Sequence, residues 1–84
     1  MISIRLLGGA KKAIGKPVVE FDRDSATVSE ILQFLQKISL CSPLLQSDNL
    51  IVAVNGVDSA ALKGGDTIAK RGDKVTVVTV VHGG

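Results

Sequence analysis

Residues 74–81 constrain the fold most strongly, because this segment consists almost entirely of valine and threonine. Branched side chains pack well on a pleated surface, so this composition is typical of a β-strand. Successive side chains of a strand point to opposite faces of the sheet. One face would carry Val75, Val77, Thr79 and Val81, and the other Thr76, Val78 and Val80. Because both faces are largely apolar, we expect a central strand with neighbours on both edges.

The start of the chain has the pattern of a β-hairpin. Residues 2–7 alternate apolar and polar side chains, and residues 17–21 form a second short strand-like run. Residues 8–16 hold three glycines and three lysines, which favours a flexible basic loop between the two strands.

A helix is predicted from about residue 28 to residue 39. Thr27 and Glu30 have the spacing of a capping box, in which each side chain accepts a hydrogen bond from the backbone N–H of the other residue. The apolar residues that follow lie on one stripe of a helix: Val28, Ile31, Leu32, Leu35 and Ile38.

A second group of strand signals follows the helix. Residues 50–54 form a short β-branched run that we expect to be a buried strand. Asn55 and Gly56 both tolerate positive φ, so they predict a tight turn, with Val57 at the start of a short return strand. Residues 67–69 are expected to form a very short strand.

Strands on both sides of one helix predict an α+β domain. We expect a mixed four- to five-stranded sheet with one main helix packed across one face. If the first and last strands pair in the middle of this sheet, they run parallel. At 84 residues, the chain is expected to be a single domain, residues 1–84.

The composition excludes several kinds of active site. One cysteine and one histidine are too few for a multi-cysteine zinc site or a histidine relay. Without tryptophan or tyrosine, and with a net charge of only +2, direct nucleic-acid binding is not expected. The longest apolar run has five residues and no signal-peptide pattern opens the chain, so we expect no membrane span and a cytoplasmic location. We therefore expect no catalytic residue, no metal and no bound cofactor.

The remaining signal is the C-terminal sequence Val81-His82-Gly83-Gly84, which we expect to project as a tail that is flexible from about residue 82 to residue 84. Glycine lacks a Cβ and allows the close backbone approach that a narrow enzyme channel requires. A C-terminal carboxylate is ionised at neutral pH and can attack the α-phosphate of ATP. We assign activation and conjugation to Gly84 and Gly83, and recognition of the tail to His82 and Val81.

The element order, the Asn55-Gly56 turn and the terminal Gly83-Gly84 together resemble the ubiquitin-like β-grasp sulfur carriers. This group includes the small subunit of molybdopterin synthase, the thiamine-pathway carrier and the ubiquitin-related modifier. The ending His82-Gly83-Gly84 is similar to that of the ubiquitin-related modifier. The molybdopterin synthase subunit typically has a Pro-Pro pair before its tail, where this chain has Thr79 and Val80.

The resemblance implies a set of partners. An E1-like adenylating enzyme would use ATP and magnesium to adenylate Gly84, and a sulfurtransferase would convert the product to a thiocarboxylate. The sulfur would go to tRNA through a tRNA-thiolating enzyme, or to a pterin precursor. The activated Gly84 could instead be joined to lysines of target proteins. We expect the carrier itself to be a monomer and a substrate of these enzymes rather than an enzyme.

Two alternatives to the modifier and sulfur carrier stay open. The chain could be the small subunit of molybdopterin synthase, bound to its large subunit, or a β-grasp interaction module without C-terminal chemistry. As the docking face for a partner we predict the helix-free side of the sheet, with Val78 and Val80 as apolar contacts. Lys70 and Arg71 could add complementary charge near the root of the tail, but the favoured prediction for them is a solvated turn. The alternative for both valines is that they merely fill a central strand.

Overall fold

The computed structural model describes residues 1–39 and 50–79. Within these residues, seven strands and two α-helices follow one another along the chain. They are β1 (Ile2–Gly8), α1 (Gly9–Ile14), β2 (Val18–Phe21), β3 (Ser25–Thr27), α2 (Val28–Ile38), β4 (Leu50–Val54), β5 (Val57–Asp58), β6 (Ile68–Lys70) and β7 (Val75–Thr79). Two short 3-10 helices, Ser59–Ala61 and Gly64–Asp66, lie between β5 and β6.

Strand β7 lies at the centre of a five-stranded mixed sheet with the order β2-β1-β7-β4-β5. It pairs in parallel with β1 and antiparallel with β4, while β2 and β5 form the two edges. Its side chains alternate as the sequence predicted, with Val75, Val77 and Thr79 buried on one face. The predicted α+β fold, the central strand and its parallel pairing with the first strand are therefore confirmed. Residues 80 and 81 of the predicted strand lie outside the described residues.

Helix α2 begins at the predicted capping box. The backbone N–H of Glu30 donates to Thr27 Oγ1 over 3.1 Å, and the N–H of Thr27 donates to Glu30 Oε1 over 3.0 Å. Ile31 and Leu35 of the predicted stripe are fully buried in the core, whereas Ile38 at the end of the helix is 39% exposed. The helix packs against one face of the sheet, and no helix of residues 1–39 and 50–79 lies on the opposite face.

The prediction of a flexible loop over residues 8–16 is wrong, because α1 occupies most of this connection. Ala10, Ala13 and Ile14 have helical spacing and are buried in the core. Gly15 ends the helix in the left-handed conformation, with φ 84°, and its N–H donates to the carbonyl of Lys11. The glycines and lysines of residues 8–16 led to the prediction of a loop, although this segment contains a short amphipathic helix.

A second, two-stranded sheet joins β3 to β6. Ser25–Thr27, for which the sequence analysis predicted no strand, pairs antiparallel with Ile68–Lys70. Ala26 and Ala69 are register partners and both are buried, so this small sheet closes one end of the core.

The Asn55-Gly56 turn joins β4 to β5 as predicted, with φ values of 54° and 84°. The Asn55 side chain also reaches the start of β7: its Nδ2 donates to Asp73 Oδ1, and its Oδ1 accepts from the N–H of Lys74. The N–H of Lys70 and the Asn55 amide, in that order of importance, hold the pKa of Asp73 below its ordinary value. These bonds fix the turn before β7 to the turn after β4.

Candidate functional site

The predicted activation and recognition residues, Val81, His82, Gly83 and Gly84, lie outside the described residues, as does Val80 of the predicted docking face. Their roles stay predictions. The structure describes the chain up to Thr79, the last residue of β7. It also describes the sheet face on which the remaining predicted docking residue, Val78, is found.

Three apolar side chains form a row across the helix-free face of the sheet. Leu7 of β1 is the parallel register partner of Val78, and Ile51 of β4 is its antiparallel partner. Register partners place their side chains on the same face. Leu7 is 43% exposed and Ile51 is 38% exposed, while Val78 is half-buried between them. We call Leu7, Val78 and Ile51 the apolar row.

The register places Val78 on the helix-free side, where its role as a docking residue stays a prediction, and the sequence analysis missed its two neighbours. Along β1, Leu7 lies on the same side as the exposed Ser3 and Arg5 and opposite to the buried Ile4. This alternation in the sequence could have predicted that Leu7 lies on the helix-free face. Ile51 belongs to a run that was expected to be buried throughout. Its exposure depends on the register of β4 against β7, which no local pattern specifies.

Positive charge borders one end of the apolar row. Leu7 shares a shallow cleft with Arg5 and Lys11, and Arg5 also lines the adjoining cleft together with Lys74. All three cationic residues are exposed. A partner surface with acidic side chains would complement this border.

Lys70 and Arg71 are exposed at the turn between β6 and β7, which agrees with the favoured prediction of a solvated turn. Lys70 ends β6, and Arg71 lies in the turn that precedes β7. The N–H of Arg71 donates to the carbonyl of Asp24, which attaches this turn to the connection between β2 and β3. Both residues therefore precede the first residue of β7, whereas the tail follows its last residue.

The clear pKa shifts among the described carboxyl groups have structural causes. The N–H of Thr27 is the main reason why the pKa of Glu30 is lowered, and Arg23 contributes through an ion pair of 3.1 Å. The pKa of Asp73 is lowered as described above. Both carboxylates accept hydrogen bonds from backbone N–H groups and thereby stabilise the local backbone conformation.

Two further findings concern residues 1–39 and 50–79. No three His, Cys, Asp or Glu side chains of this part come together in a group that could hold a metal ion. None of its helices is long and apolar enough to cross a membrane.

Several solved structures resemble the chain over nearly its whole length. The small archaeal modifier protein 1 (SAMP1) from Methanosarcina acetivorans has a TM-score of 0.74 at 20% identity, covering 99% of this chain and 95% of its own. A chain of the Amycolatopsis orientalis BexX/CysO complex has a TM-score of 0.75 at 23% identity, with both chains fully covered at 100%. Urm1 from Trypanosoma brucei has a TM-score of 0.75 at 21% identity, covering 99% of this chain and 94% of its own. At these identities the likeness establishes the ubiquitin-like β-grasp fold.

Family membership rests on the sequence comparison. The ThiS family model matches residues 4–84, which includes β1 from Ile4 onward, all later strands and the terminal glycines. None of the curated protein sequences matches the chain. Since the family match covers far more than half of the chain, the chain belongs to the ThiS family of small ubiquitin-like carrier and modifier proteins.

Proposed function

We propose that this protein is a ubiquitin-like sulfur carrier and protein modifier, activated at its C-terminal residue Gly84 by an E1-like enzyme that uses ATP and magnesium. The observation that carries the proposal is the position of the apolar row beside the end of β7. Val78 of the row directly precedes Thr79, the last described residue before Val80 and the tail. One enzyme could therefore hold the row and receive the tail at the same time.

The chemistry requires no catalytic side chain from the carrier. A carboxylate oxygen of Gly84 attacks the α-phosphorus of ATP, pyrophosphate leaves, and an acyl-adenylate forms. A persulfide of the sulfurtransferase then attacks the carbonyl carbon and displaces AMP. A second thiol reduces the resulting acyl disulfide, which leaves a thiocarboxylate on Gly84 and a disulfide on the enzyme side.

The same adenylate supports conjugation. The neutral amine of a target-protein lysine can attack the carbonyl of Gly84, release AMP and form an isopeptide bond, with the amine proton passing to solvent. The name of one similar protein, small archaeal modifier protein 1, supports this branch of the proposal. For the sulfur branch we propose tRNA, reached through a tRNA-thiolating enzyme, as the final acceptor. Because both branches consume ATP, we place the protein in the cytoplasm.

Docking through the apolar row has a simple energetic basis. Burial of apolar surface contributes about 25 cal/mol per Å², and Leu7 and Ile51 are the members of the row with most surface left to bury. The charges of Arg5 and Lys11 add steering toward an acidic partner surface, which salt weakens. The proposed contact is thus an apolar centre with a charged border.

Intact-mass measurement tests the proposal. The full chain is incubated with ATP, magnesium, its adenylating enzyme and a sulfur donor, and the expected result is exchange of one carboxylate oxygen for sulfur. Gly84→Ala places a methyl group beside the reacting carbonyl and should greatly slow activation without loss of folding. Absence of exchange in the wild-type chain with every cognate enzyme would contradict the sulfur-carrier proposal. Stable copurification with a large subunit that acts on a pterin would favour the molybdopterin synthase alternative.

A further inference from the structure

Two consecutive glycines at the junction of β1 and α1 lie against the last residue of β7. Gly8 is the parallel register partner of Thr79. A Cβ on Gly8 would lie 3.2 Å from the Thr79 carbonyl oxygen, and a Cβ on Gly9 would lie 3.0 Å from Thr79 Cβ and 3.2 Å from its Cγ2. Carbon atoms in ordinary van der Waals contact are about 3.5–4.0 Å apart. Neither position accepts a side chain unless Thr79 moves.

Gly9 differs from the turn glycines of this chain. Gly56, Gly64 and Gly72 have positive φ and open space around them, so their backbone conformation accounts for the glycine. Gly9 instead begins α1 without a positive φ, and alanine would raise the helix propensity there. The close approach of Thr79 is therefore the physical reason for glycine at this position.

The contact with Thr79 adjoins the apolar row. Leu7 directly precedes Gly8, and Val78 directly precedes Thr79, so Leu7–Val78 and Gly8–Thr79 are successive register pairs of one parallel ladder. Thr79 is only 7% exposed and points toward the core. A partner that holds the row thereby also holds the point from which residues 80–84 continue.

We propose that Gly8 and Gly9 form a close packing contact with Thr79. This contact sets the position and direction in which the tail leaves the fold, relative to the apolar row. Gly9 is then a positioning residue for activation of Gly84, and this inference rests on the proposed function. A displacement of about 1 Å at a reacting group can cost up to about a hundredfold in rate. Relief of the 3.0 Å carbon–carbon contact requires Thr79 to shift by a few tenths of an ångström, so we expect a loss smaller than this upper value.

The kinetics of adenylation separate positioning from docking. For Gly9→Ala we expect kcat for pyrophosphate release by the activating enzyme to fall about tenfold, because the tail enters the site in the wrong place. The KM for the carrier should stay within about twofold of wild type, because the apolar row is unchanged. A merely structural role would move neither constant once the variant is shown to be folded by its thermal unfolding curve.

Gly65→Ala is the matched control. A Cβ there would collide with Ser29 Oγ, on the contact between α2 and the second 3-10 helix and away from Thr79. It is also a glycine-to-alanine change that crowds a neighbouring side chain, so it should lower thermal stability while kcat stays at the wild-type value. Equal kcat values for Gly9→Ala and Gly65→Ala would overturn the inference.

If Gly9→Ala alone does not fold, the inference can still be tested by removing the side chain of Thr79 and adding one at Gly9. The three nearest atoms to a Cβ on Gly9 all belong to the Thr79 side chain, so Thr79→Gly removes the crowding. Thr79→Gly alone should lower kcat because the packing contact with Gly9 is lost, and adding Gly9→Ala should restore part of kcat. No gain in kcat from that addition would also overturn the inference. If the wild-type chain is not adenylated at all, the proposed function fails and this inference fails with it.

Discussion

Two isoleucines on opposite faces of the same sheet have opposite environments. Ile4 of β1 faces α2 and is completely buried, whereas Ile51 of β4 faces away from the helix and is 38% exposed. The first contributes to folding, and the second retains apolar surface that a partner could cover. One face of the sheet thus carries apolar residues that stabilise the fold, and the other carries the apolar residues that we propose for recognition of a partner.

Truncation of the buried isoleucine should have the largest effect. Ile4→Ala removes core contacts and leaves a cavity, so we expect the free energy of unfolding to fall by about 4 kcal/mol. Ile51→Ala serves as the matched control and should change it by no more than about 1 kcal/mol. Urea denaturation measures both values. Similar losses in the two variants would contradict the division between the faces.

Truncation on the exposed face should instead affect binding. Ile51→Ala is expected to raise the KM for adenylation by about tenfold while kcat stays near the wild-type value, because it removes contact area from the apolar row. Val57→Ala, at an exposed apolar residue of the edge strand β5 outside the row, is the control. If the control raised KM as much as Ile51→Ala did, the row would not be the docking surface.

Loss of the helix cap should have a smaller effect, restricted to stability. Thr27→Ala removes the acceptor of the Glu30 N–H, and we expect the free energy of unfolding to fall by about 1 kcal/mol. Thr27→Ser retains the hydroxyl and should recover most of this loss. Thermal unfolding measures both variants, and adenylation should show unchanged KM for each. A KM change in Thr27→Ala would mean that the α2 side of the molecule also contacts the enzyme.

The smallest expected effect concerns acid stability at the turn before β7. Folding lowers the pKa of Asp73 below its ordinary value of 3.8, so the ionised carboxylate stabilises the fold at pH values above 3.8. This contribution is lost as the pH falls through the lowered pKa of the folded state. Asp73→Asn should therefore flatten the pH dependence of unfolding in this acidic range. An unchanged pH profile would show that the hydrogen bonds from Lys70 and Asn55 do not stabilise the turn.

Local signals predicted much of this fold from sequence. The capping box of Thr27 and Glu30 fixed the start of α2, and the positive-φ pair Asn55-Gly56 fixed the hairpin after β4. The alternation in residues 74–81 predicted the central strand and the exposed side of Val78. Each of these features depends on interactions between residues that are close in sequence, or on a periodicity that a sequence displays directly.

Features that depend on register or close packing were missed. Strand β3 exists because Ser25–Thr27 meets β6, more than 40 residues away in sequence. The apolar row requires the simultaneous register of β1, β7 and β4. The sequence analysis placed Gly8 and Gly9 in a flexible loop, but they lie against Thr79, which only the paired strands bring near.

The central claim is that a partner enzyme holds the helix-free face and not the helix face. Backbone and methyl NMR spectra of the full chain, recorded during titration with the E1-like enzyme, test it most directly. We predict that Leu7, Ile51 and Val78 are perturbed first, while Gln33, Gln36 and Lys37 on the exposed side of α2 are unaffected. Perturbation of those α2 residues with no change at the apolar row would contradict the account.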